Sequence, residues 1–105
     1  MHRINIMKDF SRTPGSRFRV DGPHSGEDFR KTLLEPLFAE RENSSKIEIT
    51  LDGTEGYATS FLEEAFGGLA RKYGKERCLE RLVFVSNEDP LLIEEIKHYI
   101  KHCDE

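Results

Sequence analysis

The sequence predicts an α/β fold, a mixed β-sheet with helices packed on it in the order β-β-α-β-α-β-α, and three observations carry that reading. Ile47, Ile49 and Leu51 alternate with Glu48 and Thr50, the period of two that marks a strand with one buried face. Leu82-Val83-Phe84-Val85 is a short continuous apolar run, as expected of a strand buried on both faces of a parallel sheet. Between them Phe61, Leu62, Ala65, Phe66, Leu69, Ala70 and Tyr73 recur at helical spacing, so strand, helix and strand follow one another. The two strands are expected to lie parallel and adjacent, joined by that helix.

The remaining elements follow in chain order. Ile4 and Ile6 alternate, as do Phe18 and Val20 after the turn residues Thr13-Pro14-Gly15-Ser16, which predicts a hairpin of two short strands. Ser25-Gly26-Glu27-Asp28 reads as a helix start, and Phe29, Leu33, Leu34, Leu37 and Phe38 form the apolar stripe behind it. Pro36 lacks an amide and its ring clashes with the carbonyl four residues back, so a kink or break is expected after Glu35. Asp52 ends the central strand, Gly53 and Gly56 permit a turn with positive φ, and Ser60-Phe61-Leu62-Glu63 has the form of a capping box. Acids Glu63 and Glu64 come early in this helix and Arg71 and Lys72 late, matching its dipole, and Gly74 is a stop. Asp89-Pro90 opens a last helix with Leu92, Ile93, Ile96, Tyr99, Ile100 and Cys103 on its buried stripe.

Size and charge bound the function. The 105 residues are read as one domain, residues 1–105, able to bury roughly two-thirds of the surface of the unfolded chain. MHRINIMKDF is interrupted by Arg3, Lys8 and Asp9, which leaves no signal peptide and no membrane span there, and a cytoplasmic location is expected. Cys78 and Cys103 lie far from any CxxC spacing and suit a reducing compartment. A net charge of −4, with Arg71, Lys72, Lys75, Arg77 and Arg81 interleaved with Glu76 and Glu80, argues against nucleic acid as a partner.

No residue pattern calls for catalysis or a cofactor. The chain holds no GxSxG, no P-loop and no nucleophile with a base at motif spacing, and His24 reads as an exposed loop histidine. His98 and His102 at i, i+4 can share a metal, but with Cys103 on the apolar stripe no third ligand is secured, so no metal site is assigned.

The order of elements and the central motif resemble the STAS family, the sulphate-transporter and anti-sigma-antagonist domains, and more closely its bacterial STAS-like branch. That branch carries a serine-glycine-glutamate before its first helix and a serine-phenylalanine-leucine before its second, here Ser25-Gly26-Glu27 and Ser60-Phe61-Leu62. In the antagonists a strand ends in aspartate and a phosphorylatable serine follows eight residues later at a helix start, a spacing that Asp52 and Ser60 share. Antagonists have Asp-Ser followed by Ser-Gly-Leu, whereas this chain has Thr59-Ser60 followed by Phe61-Leu62-Glu63. The resemblance implies a non-enzymatic protein-interaction module in bacterial regulation, with an anti-sigma factor or a serine kinase of histidine-kinase-like ATPase fold as partner. It implies Ser60, with Thr59 beside it, as phosphoacceptor. The alternative is a sensor of a small ligand or nucleotide using the Asp52–Ser60 loop.

The residues themselves suggest where a partner would dock. At 100° per residue Ser60, Glu64, Gly67 and Arg71 form a stripe opposite the apolar face, which predicts an outward docking face on which Gly67 admits a partner backbone. The competing reading is that Gly67 and Gly68 relieve crowding against another part of the same chain, or merely weaken the helix. Asp52 and Tyr57 complete the expected contact set, Tyr57 being either an exposed contact or a lid over the core.

Overall fold

Three strands of four residues each form the sheet in a computed structural model that describes residues 1–40 and 42–105. β1 (His2–Asn5), β2 (Ile47–Thr50) and β3 (Leu82–Val85) lie in the spatial order β1-β2-β3, and both pairings are parallel. The expected parallel neighbours β2 and β3 are therefore adjacent, with Ile47 opposite Leu82 and Ile49 opposite Phe84. The register puts Ile4, Ile47, Ile49, Leu82 and Phe84 on one face, all of them in or against the hydrophobic core. On the other face Arg3 pairs with Glu48 at 3.4 Å, and Val83 is 39% exposed. This corrects the expectation for β3, which buries one face only because it ends the sheet and the helices pack on a single side.

The expected hairpin is absent, so the sheet is wholly parallel and the order β-β-α-β-α-β-α loses its second strand. Ile6 instead enters a single turn, α1 (Ile6–Asp9), capped by the Asn5 side chain, and Arg19–Asp21 form a 3₁₀ turn. The physical reason is burial. Phe18 is 41% and Val20 90% exposed, so their alternation finds no sheet face to cover, while Ile6 is fully buried by turning into the core.

α2 spans residues 26–38 as Gly26–Phe29, a widened π-type turn Arg30–Leu34, and Glu35–Phe38. The Ser25 hydroxyl caps it by accepting from the Asp28 amide at 3.0 Å, as its sequence announces. The break expected after Glu35 does not occur. Glu35 N–H reaches back five residues to the Arg30 carbonyl, and that slip places Pro36 at the start of the next α segment, where its missing amide is harmless.

α3 spans residues 59–73 as Thr59–Leu62, a second π-type turn Glu63–Gly67, and Gly68–Tyr73. It stops where expected, at Gly74 with φ 101°. A helix not foreseen from the sequence, α4 (Lys75–Arg81), follows at once. Two of its arginines, four residues apart, reach the carboxyl end of α2, Arg77 donating to Glu40 O and Arg81 to Leu37 O at 2.8 Å, and Arg81 also donates to Ser45 O before β2 at 2.9 Å. Cations there complement the negative end of a helix dipole. α5 (Leu91–Lys101) closes the layer with Ile96 and Ile100 buried. Among the described residues no helix is long and apolar enough to cross a membrane.

Candidate functional site

Two loops leave the carboxyl ends of β2 and β3 and are tied together by two side chains, Asp52 and Glu88. The Asp52 carboxylate accepts from the Glu88 amide at 2.9 Å, the Asn87 amide at 3.1 Å and the Asn87 side chain at 3.2 Å. Those amide bonds, Glu88 first, hold its carboxyl below the usual carboxylate range. Glu88 returns the bond, its Oε1 accepting from Gly53 N–H at 2.9 Å, and Gly53 makes the turn with φ 95°. Tyr57 is half-buried, its hydroxyl donating to Leu51 O at 2.7 Å and its ring 6.0 Å from that of Phe61, and burial pushes its phenol up to about 12. The lid alternative for Tyr57 is the one this geometry matches. Between the loops lies a cleft of about 260 Å³, with Asp52, Tyr57, Ser86, Glu88, Asp89 and Glu95 on its walls.

The first turn of α3 rises beside that loop. Its cap is Ala58, which makes no side-chain bond, so Ser60 stands inside the helix and is not the cap that the sequence suggests. The capping box fails because Glu63 is taken elsewhere: its carboxylate receives Arg17 at 2.5 Å and Arg71 at 2.6 Å. Thr59 is exposed and Ser60 half-exposed. Tyr99, donating to Glu95 Oε2 at 2.6 Å, lies against Thr59.

The stripe expected to face outward does not. Glu64 is 7% exposed and Gly67 is buried, because α3 is covered by α2 and α5 and meets the sheet through Phe66, whose ring lies 5.4 Å from that of Phe84. The π-type turn is the local cause, since a slipped turn breaks the 100° projection on which the stripe was drawn. A Cβ on Gly67 would lie 2.6 Å from Glu63 Oε2 and 3.4 Å from Tyr99 O, and one on Gly68 would lie 2.8 Å from Arg30 Nε. Both glycines therefore serve close approach within the chain, which was the competing reading. Of the stripe, Ser60 is half-exposed and Arg71 exposed, and Arg71 is engaged by Glu63 and by Cys103 O at 3.0 Å.

At the centre of this layer is a cation the sequence reading missed. Arg30, its side chain 12% exposed, pairs with Glu35 at 2.5 Å and Glu64 at 2.6 Å, and its Nε donates to Glu64 O at 3.2 Å. That carbonyl is available because Gly68 N–H bonds to Glu63 O, five residues back, and so leaves its ordinary partner. The signal was present: Arg30, Leu34 and Phe38 are spaced by four, so Arg30 sits on an apolar stripe and calls for an internal ion pair.

A family model described as a STAS-like domain of unknown function, DUF4325, matches residues 25–92. The chain belongs to this family. No curated protein and no solved structure matches it. In this STAS-like domain the matched region runs from the Ser25 cap of α2 to the start of α5, and so contains both loops of the cleft and the whole of α3. Outside it, the His98 and His102 rings stack 4.4 Å apart, with His102 against Glu105, and no group of three metal-ligating side chains is found among the described residues. Cys78 and Cys103 are buried free thiols, and burial pushes the Cys78 thiol up to about 12. His24, at φ 56°, is exposed with its ring edge-on to Phe10.

Proposed function

We propose that this STAS-like domain is a non-enzymatic protein-interaction module in bacterial regulation, docking a partner through the loop after β2 and the first turn of α3. The observation that carries the reading is the state of that turn: Thr59 and Ser60 cap nothing, and the loop leading to them is pinned by Asp52, Glu88 and Tyr57. A rigid loop presenting two hydroxyls is a surface that a kinase can modify without unfolding the domain. The residues proposed to touch the partner are Thr59, Ser60 and the exposed Glu55 and Gly56, with Arg71 at the margin; Glu64 and Gly67 leave the set because they are interior.

Phosphorylation at Ser60 is the proposed switch. A phosphate on the first turn of a helix is favoured by the dipole and the free amides, and adds about −1.5 to −2 charges. Ser60 stands three and four residues before Glu63 and Glu64, which share Arg17 at 2.5 Å and 3.6 Å, so a phosphate there competes for the same guanidinium. The partner class, an anti-sigma factor or a serine kinase of histidine-kinase-like ATPase fold, rests on the family resemblance. The ligand-sensor reading is supported by the cleft alone, and its Asp52, Glu88, Asp89 and Glu95 repel a nucleotide's phosphates.

Mass spectrometry after incubation with a serine kinase of histidine-kinase-like ATPase fold and ATP tests the switch. A phosphate on Ser60 or Thr59, and loss of partner binding in Ser60→Asp with folding retained, are expected. An unmodified chain whose Ser60→Asp variant binds as the wild type would overturn it.

A further inference from the structure

The end of α5 brings together two imidazoles that neither the cleft nor the docking surface uses. His98 and His102 are four residues apart, so they share one side of the helix end, and both are exposed. Their ring centroids lie 4.4 Å apart. The spacing alone secured no third ligand; the structure supplies support of another kind. His102 Nδ1 faces Glu105 Oε2 at 2.5 Å, across the turn in which Glu105 N–H donates to His102 O. An ionised carboxylate only accepts, so Nδ1 carries the proton and Nε2 keeps its lone pair. A carboxylate on the far nitrogen is the arrangement that orients metal-bound histidines.

We propose that His98 and His102 chelate a divalent transition-metal ion, with Glu105 holding the His102 ring. Imidazole nitrogen suits Zn²⁺, Ni²⁺ and Cu²⁺, whereas Mg²⁺ and Ca²⁺ take oxygen. The chain supplies two donors, since no group of three ligating side chains is found among the described residues, and water fills the other positions. The ion is therefore held at an exposed, exchangeable site and does not hold the fold together.

The charges around the pair accommodate a cation. Arg17 and Arg71 line the same groove, but Glu63 receives them at 2.5 Å and 2.6 Å, and Glu64 lies 3.6 Å from Arg17. With Glu105 the groove holds three acids against those two arginines. Lys97 and Lys101 each precede a histidine by one residue and so stand about 100° round the helix from it, while Glu94 lies one turn before His98 on its own face. Asp104 is occupied by Lys75 at 3.1 Å. The pair lies outside residues 25–92, so the proposal rests on neither the family nor the docking surface.

Titration of the full chain with Zn²⁺ at about pH 7.5, followed by ¹H–¹⁵N correlation of the histidine rings, reads the site directly. The Nε2 signals of His98 and His102 should move together and fit one ion per chain, while those of His2 and His24, the other two histidines, stay. Mg²⁺ should move none of them. His98→Ala and His102→Ala should each weaken binding at least tenfold, because the surviving imidazole loses the high effective concentration of its partner. Glu105→Ala should weaken it up to about tenfold. In the metal-free chain the same variant should shift the His102 ring towards its other tautomer, which loss of a bystander carboxylate would not do. Far-UV circular dichroism confirms that the variants fold. No ring moving at submillimolar Zn²⁺, all four histidines moving alike, a single-histidine variant that binds as the wild type, or a His102 tautomer unaltered in Glu105→Ala would each overturn the proposal.

Discussion

Replacing Gly68 by alanine sets two effects of opposite sign against each other, and the geometry around Arg30 decides between them. Alanine in a helix interior is favoured over glycine by about 1 kcal/mol. Against this, the new Cβ would lie 2.8 Å from Arg30 Nε, 3.2 Å from Cδ and 3.4 Å from Cζ, so the side chain must move. A free arginine would move at little cost. This one is held at its far end by Glu35 at 2.5 Å and Glu64 at 2.6 Å, with its side chain 12% exposed. Losing one hydrogen bond to a charged group costs about 1.5–3 kcal/mol, and breaking a buried pair about 3–5 kcal/mol. The net expectation is a loss of about 2 kcal/mol, or roughly 8–16 °C in Tm for a domain of this size. Thermal unfolding of Gly68→Ala should be compared with the same change in an Arg30→Ala background, where the obstacle is gone and alanine should stabilise by about 1 kcal/mol. A higher Tm for Gly68→Ala in the wild-type background, or the same shift in both, would refute the reasoning.

Three further outcomes follow from the same packing. Gly26→Ala places a Cβ 2.5 Å from the Phe61 carbonyl, a backbone atom that cannot step aside, so a loss of about 1–3 kcal/mol or more is expected in denaturant titration, and a neutral result would mean that α2 and α3 are not so close. Ser60→Ala should change stability by less than about 0.5 kcal/mol, because Ser60 caps nothing; a loss near the 1 kcal/mol of a true cap would contradict the Ala58 helix start. Arg71, against the pull of burial, and then Arg17 hold Glu63 low, and at Glu35 burial is outweighed by Lys72 and Arg30, so both carboxyls titrate below their unfolded value. Their contribution is present above about pH 4.3 and lost as pH falls through the folded values, so Tm should drop below that pH and the drop should shrink in Glu63→Gln.

The sequence was readable where one periodicity governed one element. β2 alternates cleanly, α5 keeps its stripe, and Ser25 caps α2 because nothing distant competes for its hydroxyl. Misreadings arose where a distant residue changed the local outcome. Glu63 has the spacing of a capping box, but Arg17, forty-six positions away, takes the carboxylate. Phe18 and Val20 alternate like a strand, yet no partner edge reaches them, and they remain exposed. Pro36 reads as a break until the widened turn before it moves the proline to a helix start. The predicted docking stripe failed for the same reason, since a second widened turn and cover from α2 and α5 put Glu64 and Gly67 inside. The loop and first turn from Asp52 to Ser60 owe their form to local chemistry: an aspartate, two glycines with positive φ and a tyrosine reaching back to Leu51.

The central claim, that a partner docks on the loop after β2 and the first turn of α3, is tested most directly by titrating the ¹⁵N-labelled chain with a purified anti-sigma factor or serine kinase of histidine-kinase-like ATPase fold. Amide shifts concentrated between Gly53 and Ser60, and lost in Ser60→Asp, are the predicted result. Shifts confined to another surface, or a Ser60→Asp chain that responds as the wild type does, would contradict it.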